Sequence, residues 1–294
     1  MKYLLIPLLV ILALSKVTLQ SGFSKKHNKG LSDNVFYNFL MFATVAVIFS
    51  FFLINGGAAA TTIFHGVIMG VLSICYQVFY ICAFSKGKIS LTIIINNFSM
   101  LIPLFASYFL FDEKFGTLKA IATVLVLVSF VLSAAKDNES TSSDVSKKNN
   151  YMWLIFVILL FLSNGLIATN QKIYAKTSDN FQVFQFVAVA YITAAVLSFF
   201  MYLFVSRNDE KTAKRKQPAV LISGCVIGIL LGTFQCLNTY SASVIEGPVL
   251  YASYNGMLSI LSALMGRILY KEKLSVKQCL GVIIGTIAIV LLCL

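Results

Sequence analysis

The sequence predicts an all-α membrane protein with ten transmembrane helices, arranged as two inverted repeats of five helices each. Three observations lead to this fold class: long apolar runs, one polar segment near the middle of the chain, and an internal repeat. The chain of 294 residues is 59% hydrophobic and only 12% charged. A soluble domain has about a quarter of its residues charged.

The apolar residues lie in runs of about 20, the length that an α-helix needs to cross the hydrocarbon core of a bilayer. Only helices and closed barrels satisfy their backbone hydrogen bonds there, and these runs are too long and too uniformly apolar for barrel strands. The ten predicted spans are residues 3–22, 35–54, 62–85, 89–111, 116–135, 151–172, 181–205, 218–240, 247–270 and 275–294.

A polar segment, residues 136–150, separates spans 5 and 6, and Val145 is its one apolar residue. Such a segment lacks the apolar surface that would let it pack, so we expect a flexible linker. The chain is thereby divided into a first five-helix repeat, residues 1–135, and a second, residues 151–294.

The two halves resemble each other. At a constant offset of 159 residues they share eight identities over fifty positions, including Asn96 with Asn255 and the Glu-Lys pair at 113–114 with that at 272–273. Because each half holds an odd number of spans, the second half enters the membrane from the opposite side. Inverted repeats of this kind are typical of secondary transporters, whose substrate site lies near the membrane midplane between the repeats.

Residues 1–20 also have one feature of a signal peptide, a lysine followed by an apolar run. No small-x-small cleavage site follows that run, and Lys25, Lys26 and Lys29 come soon after it. The repeat gives the segment a counterpart in the second half, which favours a retained helix.

Residues 89–134 and 244–292 resemble the drug/metabolite transporter superfamily, specifically its ten-helix EamA-type members. In that family each half ends with a helix, a short turn that contains Glu, and a last helix; the turns here are residues 111–115 and 270–274. The resemblance extends over essentially the whole chain. It implies that four helices of each half surround a central cavity, while spans 5 and 10 lie outside it and lack substrate contacts.

The intramembrane polar residues are the candidates for binding a substrate. All eleven Asp and Glu lie in loops or at span ends, and the small multidrug members of the superfamily have a membrane Glu where this chain has Leu14. Lys16 is taken as the only basic residue well inside a span, where it either pairs with an anionic substrate group or extends to the interface. The candidate substrate-binding residues are Lys16, Gln77, Asn96, Asn97, Asn164, Gln235, Tyr251, Tyr254 and Asn255.

A structural role is the alternative for each of these side chains. Hydrogen bonds between membrane helices contribute about 0.6–2 kcal/mol, so an amide can serve packing alone. Asn96 and Asn255 are favoured because the repeat places them at equivalent positions. Pro103 inside span 4 should kink that helix, since proline removes a helical hydrogen bond.

The sequence gives no sign of an enzyme. No catalytic set of residues, metal-ligand spacing or Walker A motif occurs, so we expect no catalytic residue, cofactor or metal. The net charge of +12 comes from Lys and Arg in loops between spans, without a nucleic-acid-binding signature. The expected partners are a small-molecule substrate and the lipid bilayer, not a nucleic acid, and a homodimer is left open.

These observations favour a secondary transporter that moves a small polar or amphipathic metabolite by alternating access, located in the plasma membrane. A multidrug or amino-acid exporter and a lipid-carrier flippase are alternatives with the same fold. A non-transporting membrane subunit and an intramembrane enzyme are disfavoured. The direction of transport and the coupling ion stay open.

The orientation in the membrane is also open. The loops after odd-numbered spans, with the adjoining span ends, carry 18 of the 23 Lys and Arg. The positive-inside rule therefore places these loops in the cytoplasm and both termini outside. The family resemblance implies cytoplasmic termini instead. Accessibility of a cysteine introduced in residues 207–217 would decide between the two.

Overall fold

The computed structural model describes residues 2–27, 31–86, 89–111, 113, 116–134, 147–206, 218–270 and 276–293. These residues are almost entirely helical and contain no strand, so the predicted all-α class is confirmed. After a short 3-10 turn at Lys2–Leu4, the helices are α1 (Leu5–His27), α2 (Leu31–Gly56), α3 (Ala60–Lys86), α4 (Ile89–Phe98), α5 (Leu101–Phe111), α6 (Thr117–Ala134), α7 (Lys147–Thr177), α8 (Val183–Ser206), α9 (Pro218–Val244), α10 (Gly247–Tyr270) and α11 (Val276–Cys293).

Six helical segments of the described residues are long and apolar enough to cross a membrane, which indicates an integral membrane protein. They are Lys2–Gln20, Ser32–Gly56, Ala60–Ala83, Tyr151–Thr177, Val183–Ser206 and Pro218–Val244. Shorter apolar helical stretches are Ile95–Phe111, Thr117–Ser129 and Cys279–Ala288, at the positions of predicted spans 4, 5 and 10. The count of ten spans and the inverted repeat stay predictions.

Several helices extend beyond the predicted spans. Helix α7 begins at Lys147 and ends at Thr177, so residues 147–150 of the predicted linker form its first turn. Hydropathy marks the part of a helix that lies in hydrocarbon, whereas the helix itself continues as long as each added residue gains a hydrogen bond. The predicted linker residues 136–146, the loop 207–217 and the turn residues 271–274 lie outside the described residues.

The chain forms two compact units. Unit 1 comprises Met1–Val10, Cys75–Lys172 and Val244–Leu294, and unit 2 comprises Ile11–Ile74 and Ile173–Ser243. Each unit contains residues from both predicted repeats. The division into the repeats 1–135 and 151–294 concerns the sequence and stays a prediction.

In unit 2, α9 packs against α2 through glycines spaced four residues apart. A side-chain carbon at Gly224 would meet Leu40, and one at Gly228 would meet Thr44 Cβ at 2.7 Å. A glycine on one face in successive turns lets two membrane helices approach closely, because no side chain separates their backbones. Helix α2 ends where Gly57 adopts a left-handed conformation (φ 61°) and its N–H bonds to the Leu53 carbonyl.

In unit 1, α6 packs against α11, and both contact α10. The Ser129 hydroxyl of α6 donates a hydrogen bond of 2.7 Å to the Gly281 carbonyl of α11. A buried hydroxyl in hydrocarbon needs such a partner. This bond therefore fixes the register of the two helices.

The segment predicted as span 4 is interrupted. Helix α4 ends at Phe98, five residues before Pro103, and α5 begins at Leu101, two residues before Pro103, with a turn between the two helices. Because Pro103 has no N–H, the Ser99 carbonyl accepts its bond from Ile102 N instead (3.1 Å). The kink expected from Pro103 is thus a break between two shorter helices.

Candidate functional site

Unit 1 holds seven of the nine predicted site residues and unit 2 the other two. The seven lie on four helices, which places most of the predicted polar side chains in one compact body. They are Gln77 on α3, Asn96 and Asn97 on α4, Asn164 on α7, and Tyr251, Tyr254 and Asn255 on α10. In unit 2 are Lys16 on α1 and Gln235 on α9.

Asn96 lies in the last turn of α4, where the helix gives way to the break. Its backbone carbonyl accepts a bond from Ser99 N (3.1 Å) and one from the side-chain amide of Asn164 (3.5 Å). The Oδ1 atom of Asn96 is buried, and no donor among the described residues reaches it. Asn96 therefore has a fixed backbone and an open side-chain acceptor.

Asn164 has a different environment from Asn96. Its side-chain nitrogen donates to the Ser99 hydroxyl at 2.7 Å. Next to it, a side-chain carbon at Gly165 would collide with Ile102. Asn164 thus holds α7 against the break, which is the structural role that an intramembrane amide commonly has.

One tyrosine contacts the Asn96 side chain, and two more lie near that tyrosine. The Tyr76 hydroxyl is hydrogen-bonded to the Asn96 side chain, and the hydroxyls of Tyr80 and Tyr254 lie near that of Tyr76. The rings of Tyr76 and Tyr80, one helical turn apart on α3, are 6.0 Å apart between centroids and therefore lie side by side. We refer to Tyr76, Tyr80, Asn96 and Tyr254 as the tyrosine–asparagine cluster.

Tyr251 and Asn255, one turn apart on α10, have partners of their own. The Tyr251 hydroxyl donates to the Ala168 carbonyl of α7 at 3.0 Å. Asn255 Nδ2 donates to the Tyr251 carbonyl in its own helix at 2.8 Å. Gln77 is buried at 8% exposure, and Asn97 is half-buried beside Asn96. The repeat pair Asn96 and Asn255 therefore differs in its bonding.

In unit 2, Gln235 interacts with the hydroxyl of Tyr191, which also interacts with Ser73. Tyr191 is buried at 1% exposure, so these amide and hydroxyl groups satisfy one another. Lys16 is half-buried on α1. Its ammonium group makes no hydrogen bond or ion pair within the part of the chain that the structure describes.

The sequence reasoning missed a buried ion pair. Lys172 of α7 lies 2.7 Å from the carboxylate of Glu113, with side chains 1% and 8% exposed. The interpretation of Lys16 as the only basic residue well inside a span was therefore wrong, since Lys172 is buried before the end of α7. It had been assigned to a span end because the apolar run stops there, and Glu113 had been assigned to a loop.

Each member of this pair has a further hydrogen bond. A carboxylate oxygen of Glu113 accepts the N–H of Gly247 at 2.7 Å, at the first residue of α10. Lys172 also donates to the Ile245 carbonyl at 2.9 Å. A carboxylate at a helix N-terminus is favoured by the partial positive charge there. The pair therefore joins α7, the turn before α6 and the start of α10.

A second ion pair, between Lys119 and Glu246, lies at the surface of the same unit. The hydrogen bond from Lys119 holds the pKa of Glu246 below its usual value, against the smaller opposing effect of partial burial. With side chains 23% and 48% exposed, this pair is screened by solvent. The buried pair of Lys172 and Glu113 is not screened by solvent in this way.

The fold and its apolar helices define a polytopic α-helical membrane protein. The model of the EamA-like transporter family matches residues 151–294, just under half of the chain, and the resemblance seen in the sequence is confirmed for this part. The family that this model describes is a transporter family.

Two further comparisons found similar proteins. An uncharacterized protein of Haemophilus influenzae is 25% identical over 197 residues, which is 66% of this chain and 62% of that protein. The match thus spans less than two thirds of the length of that curated relative. A solved crystal structure is similar with a TM-score of 0.70 at 12% identity, covering 97% of this chain and 98% of the other, which shows a shared fold.

Proposed function

We propose that this protein is a secondary transporter that moves a small polar or amphipathic metabolite across the plasma membrane by alternating access. The match to the EamA-like transporter family supports transport as the activity. The tyrosine–asparagine cluster in unit 1 supports a site for a polar group among apolar helices.

One observation carries the choice of site: the break between α4 and α5 lies directly beside Asn96, whose Oδ1 atom is buried. Irregular backbone at membrane depth is tolerated where it is enclosed by protein or lines a cavity. Transporter sites are typically formed by such discontinuous helices, because their ends present free polar groups to the substrate. An unbroken α4 would offer no such groups.

The break also suggests how the site changes during transport. Helices α4 and α5 are two short rigid segments joined at Ser99 and Met100, and Pro103 prevents them from merging into one regular helix. A small change in backbone dihedrals at the joint would alter the angle between the segments. Such hinges, in a few residues at the ends of elements, are a common basis of conformational switching.

The test is transport by purified protein in liposomes, without a prior choice of substrate. Proteoliposomes are incubated with a metabolite extract of the source cells, washed, and analysed by mass spectrometry beside protein-free liposomes. We expect at least one small metabolite to accumulate only with the protein. If no metabolite is enriched over protein-free liposomes, secondary transport of a metabolite is the wrong function.

Two substitutions locate the site within that assay. Asn96→Leu should reduce accumulation, whereas the same substitution at Asn55 should not, because Asn55 is exposed and bonds only to the Phe51 carbonyl of its own helix. Asn255→Ala is expected to impair transport without preventing membrane insertion. Undiminished accumulation in both site variants would show that the substrate binds elsewhere. Fractionation of the source cells checks the plasma-membrane location.

A further inference from the structure

We propose that the tyrosine–asparagine cluster binds an uncharged group of the substrate that donates a hydrogen bond, such as a primary amide or a hydroxyl, next to a flat apolar part of the same molecule. The inference rests on the proposed function and specifies the substrate class of that site. It follows from three properties of the cluster: an open acceptor, the lack of a charged side chain among the described groups that act on Tyr76, and neighbouring aromatic rings.

The open acceptor is Asn96 Oδ1. It is buried, and no described donor reaches it, while the nitrogen of the same amide faces Tyr76. A buried amide oxygen without a donor is costly, so the protein gains when a bound molecule supplies an N–H or O–H. The bonds of the Asn96 carbonyl to Ser99 N and to Asn164 hold the residue in place. The acceptor is therefore pre-positioned.

Among the residues that the structure describes, the groups that act on the Tyr76 hydroxyl are Tyr80, Asn96 and Tyr254, and none of them is a charged side chain. The C-terminal end of α4 and the N-terminal end of α5 meet at the break, so their opposite partial charges offset each other. A charged substrate group would lose hydration here without gaining a counter-ion, whereas a neutral donor loses much less.

The ion pairs described in unit 1 supply no such counter-ion. Glu113 and Lys172 neutralise each other, and so do Lys119 and Glu246. Glu113 acts on the hydroxyl of Tyr251, which is outside the cluster, and neither pair is among the described groups that act on Tyr76. The site therefore discriminates against ions through the cost of desolvation rather than through repulsion.

The apolar surround comes from aromatic side chains. Tyr76, Phe79, Trp153 and Phe156 pack, together with Ile95, around the small buried core of Ala83, Val157 and Leu160. The Trp153 N–H is already bonded to the Thr92 hydroxyl at 2.9 Å, so the indole offers only its apolar ring. Aromatic rings prefer offset or edge contacts with other planar groups. A substrate with a flat apolar portion would make contacts of this kind with Tyr76 and its aromatic neighbours.

Four probes of similar shape test the substrate class: phenylacetamide, N,N-dimethylphenylacetamide, phenylacetate and phenethylammonium. Their affinities for the purified full-length protein are measured by titration calorimetry. We expect phenylacetamide to bind about tenfold more tightly than the dimethyl analogue, which has no N–H, and more tightly than either ion. Asn96→Leu should abolish the preference for phenylacetamide over the dimethyl analogue, and Asn55→Leu should preserve it.

The preference would be refuted if either ion bound best, or if the two amides bound equally to the unmodified protein. The liposome assay separates this failure from failure of the function. If the metabolites that accumulate are all charged, transport stands and the substrate class is wrong. If they are uncharged and carry an N–H or O–H, and Asn96→Leu lowers their accumulation about tenfold, both conclusions hold.

Discussion

The ammonium nitrogen of Lys172 lies 2.7 Å from Glu113 Oε1 within the interior of unit 1. Isolated buried charges are costly. Here, however, Glu113 also accepts a hydrogen bond from Gly247 N, and Lys172 also donates one to the Ile245 carbonyl. The pair thereby connects α7 with the turn that precedes α6 and with the beginning of α10. The charge of each residue compensates that of the other, so removing one side chain leaves the other charge buried and unpaired.

Lys172→Met should therefore be strongly destabilising. The buried carboxylate of Glu113 loses its counter-ion, and we expect a loss of about 3–5 kcal/mol, measured by chemical or thermal unfolding in detergent. The matched control is Lys176→Met, one turn further along α7. Lys176 is exposed, and an exposed ion pair contributes at most about 1 kcal/mol, so Lys176→Met should lower the unfolding stability by no more than this amount.

The double variant Lys172→Met with Glu113→Gln gives a sharper measurement. Neither charge is then left unpaired, so its stability should exceed that of Lys172→Met alone, and the two losses should not add. Strictly additive losses would mean that the two side chains act independently. The coupling interpretation of the pair would then be wrong.

The sequence alone could indicate the helices but only part of their polar contacts. Hydropathy located the apolar runs because it depends on composition along the chain. It assigned Lys172 to a span end and Glu113 to a loop, since nothing local in either segment shows that packing encloses them together. The partners of a buried charge are set by tertiary contacts, which no window of sequence contains.

The predicted site shows the same limit. Composition and the repeat singled out Asn96, Asn164 and Tyr251 together, because all three are polar residues within apolar runs. The structure distinguishes them: Asn164 bonds to Ser99, Tyr251 bonds to Ala168, and Asn96 Oδ1 stays open. Only the geometry of neighbouring helices separates an amide that serves packing from one with an unused acceptor.

Gly228→Ala should weaken the packing of α9 on α2. The added carbon would lie 2.7 Å from Thr44 Cβ and 2.9 Å from the Met41 carbonyl, and neither atom can rotate away. We expect a loss of about 1–3 kcal/mol in unfolding stability, as for other overpacked contacts. Gly232→Ala is the comparison in the same helix, because its nearest atom belongs to the Phe49 ring, which can shift. An equal effect at both positions would contradict this packing.

The surface pair Lys119–Glu246 predicts a small dependence of stability on pH. Lys119 lowers the pKa of Glu246 in the folded protein, so the folded state binds this proton less readily than the unfolded state does. The pair therefore stabilises the folded protein at pH values above the ordinary glutamate pKa of about 4.3. This stabilisation is lost as the pH falls below that value and passes through the lowered pKa that Glu246 has in the folded protein. Because both side chains are partly exposed, the contribution is at most about 1 kcal/mol.

Glu246→Gln removes this contribution and supplies the measurement. The melting temperatures of the variant and the unmodified protein should differ slightly at neutral pH and converge in the acid range. High salt should also reduce the difference, since exposed charges are screened. A difference that persists unchanged at low pH would show that Glu246 acts through packing rather than through its charge.

Two tyrosines in unit 1 should respond differently to the loss of their hydroxyl groups. Tyr251→Phe removes the bond to the Ala168 carbonyl between α10 and α7, so we expect stability to fall by about 0.6–2 kcal/mol. Tyr76→Phe removes a hydroxyl that faces Asn96 in the tyrosine–asparagine cluster, so we expect accumulation of the transported metabolite to fall, with a smaller change in stability. Unfolding in detergent and liposome transport per folded protein are measured for both variants. If Tyr251→Phe reduced transport per folded protein more than Tyr76→Phe, the assignment of substrate contact to Tyr76 would be wrong.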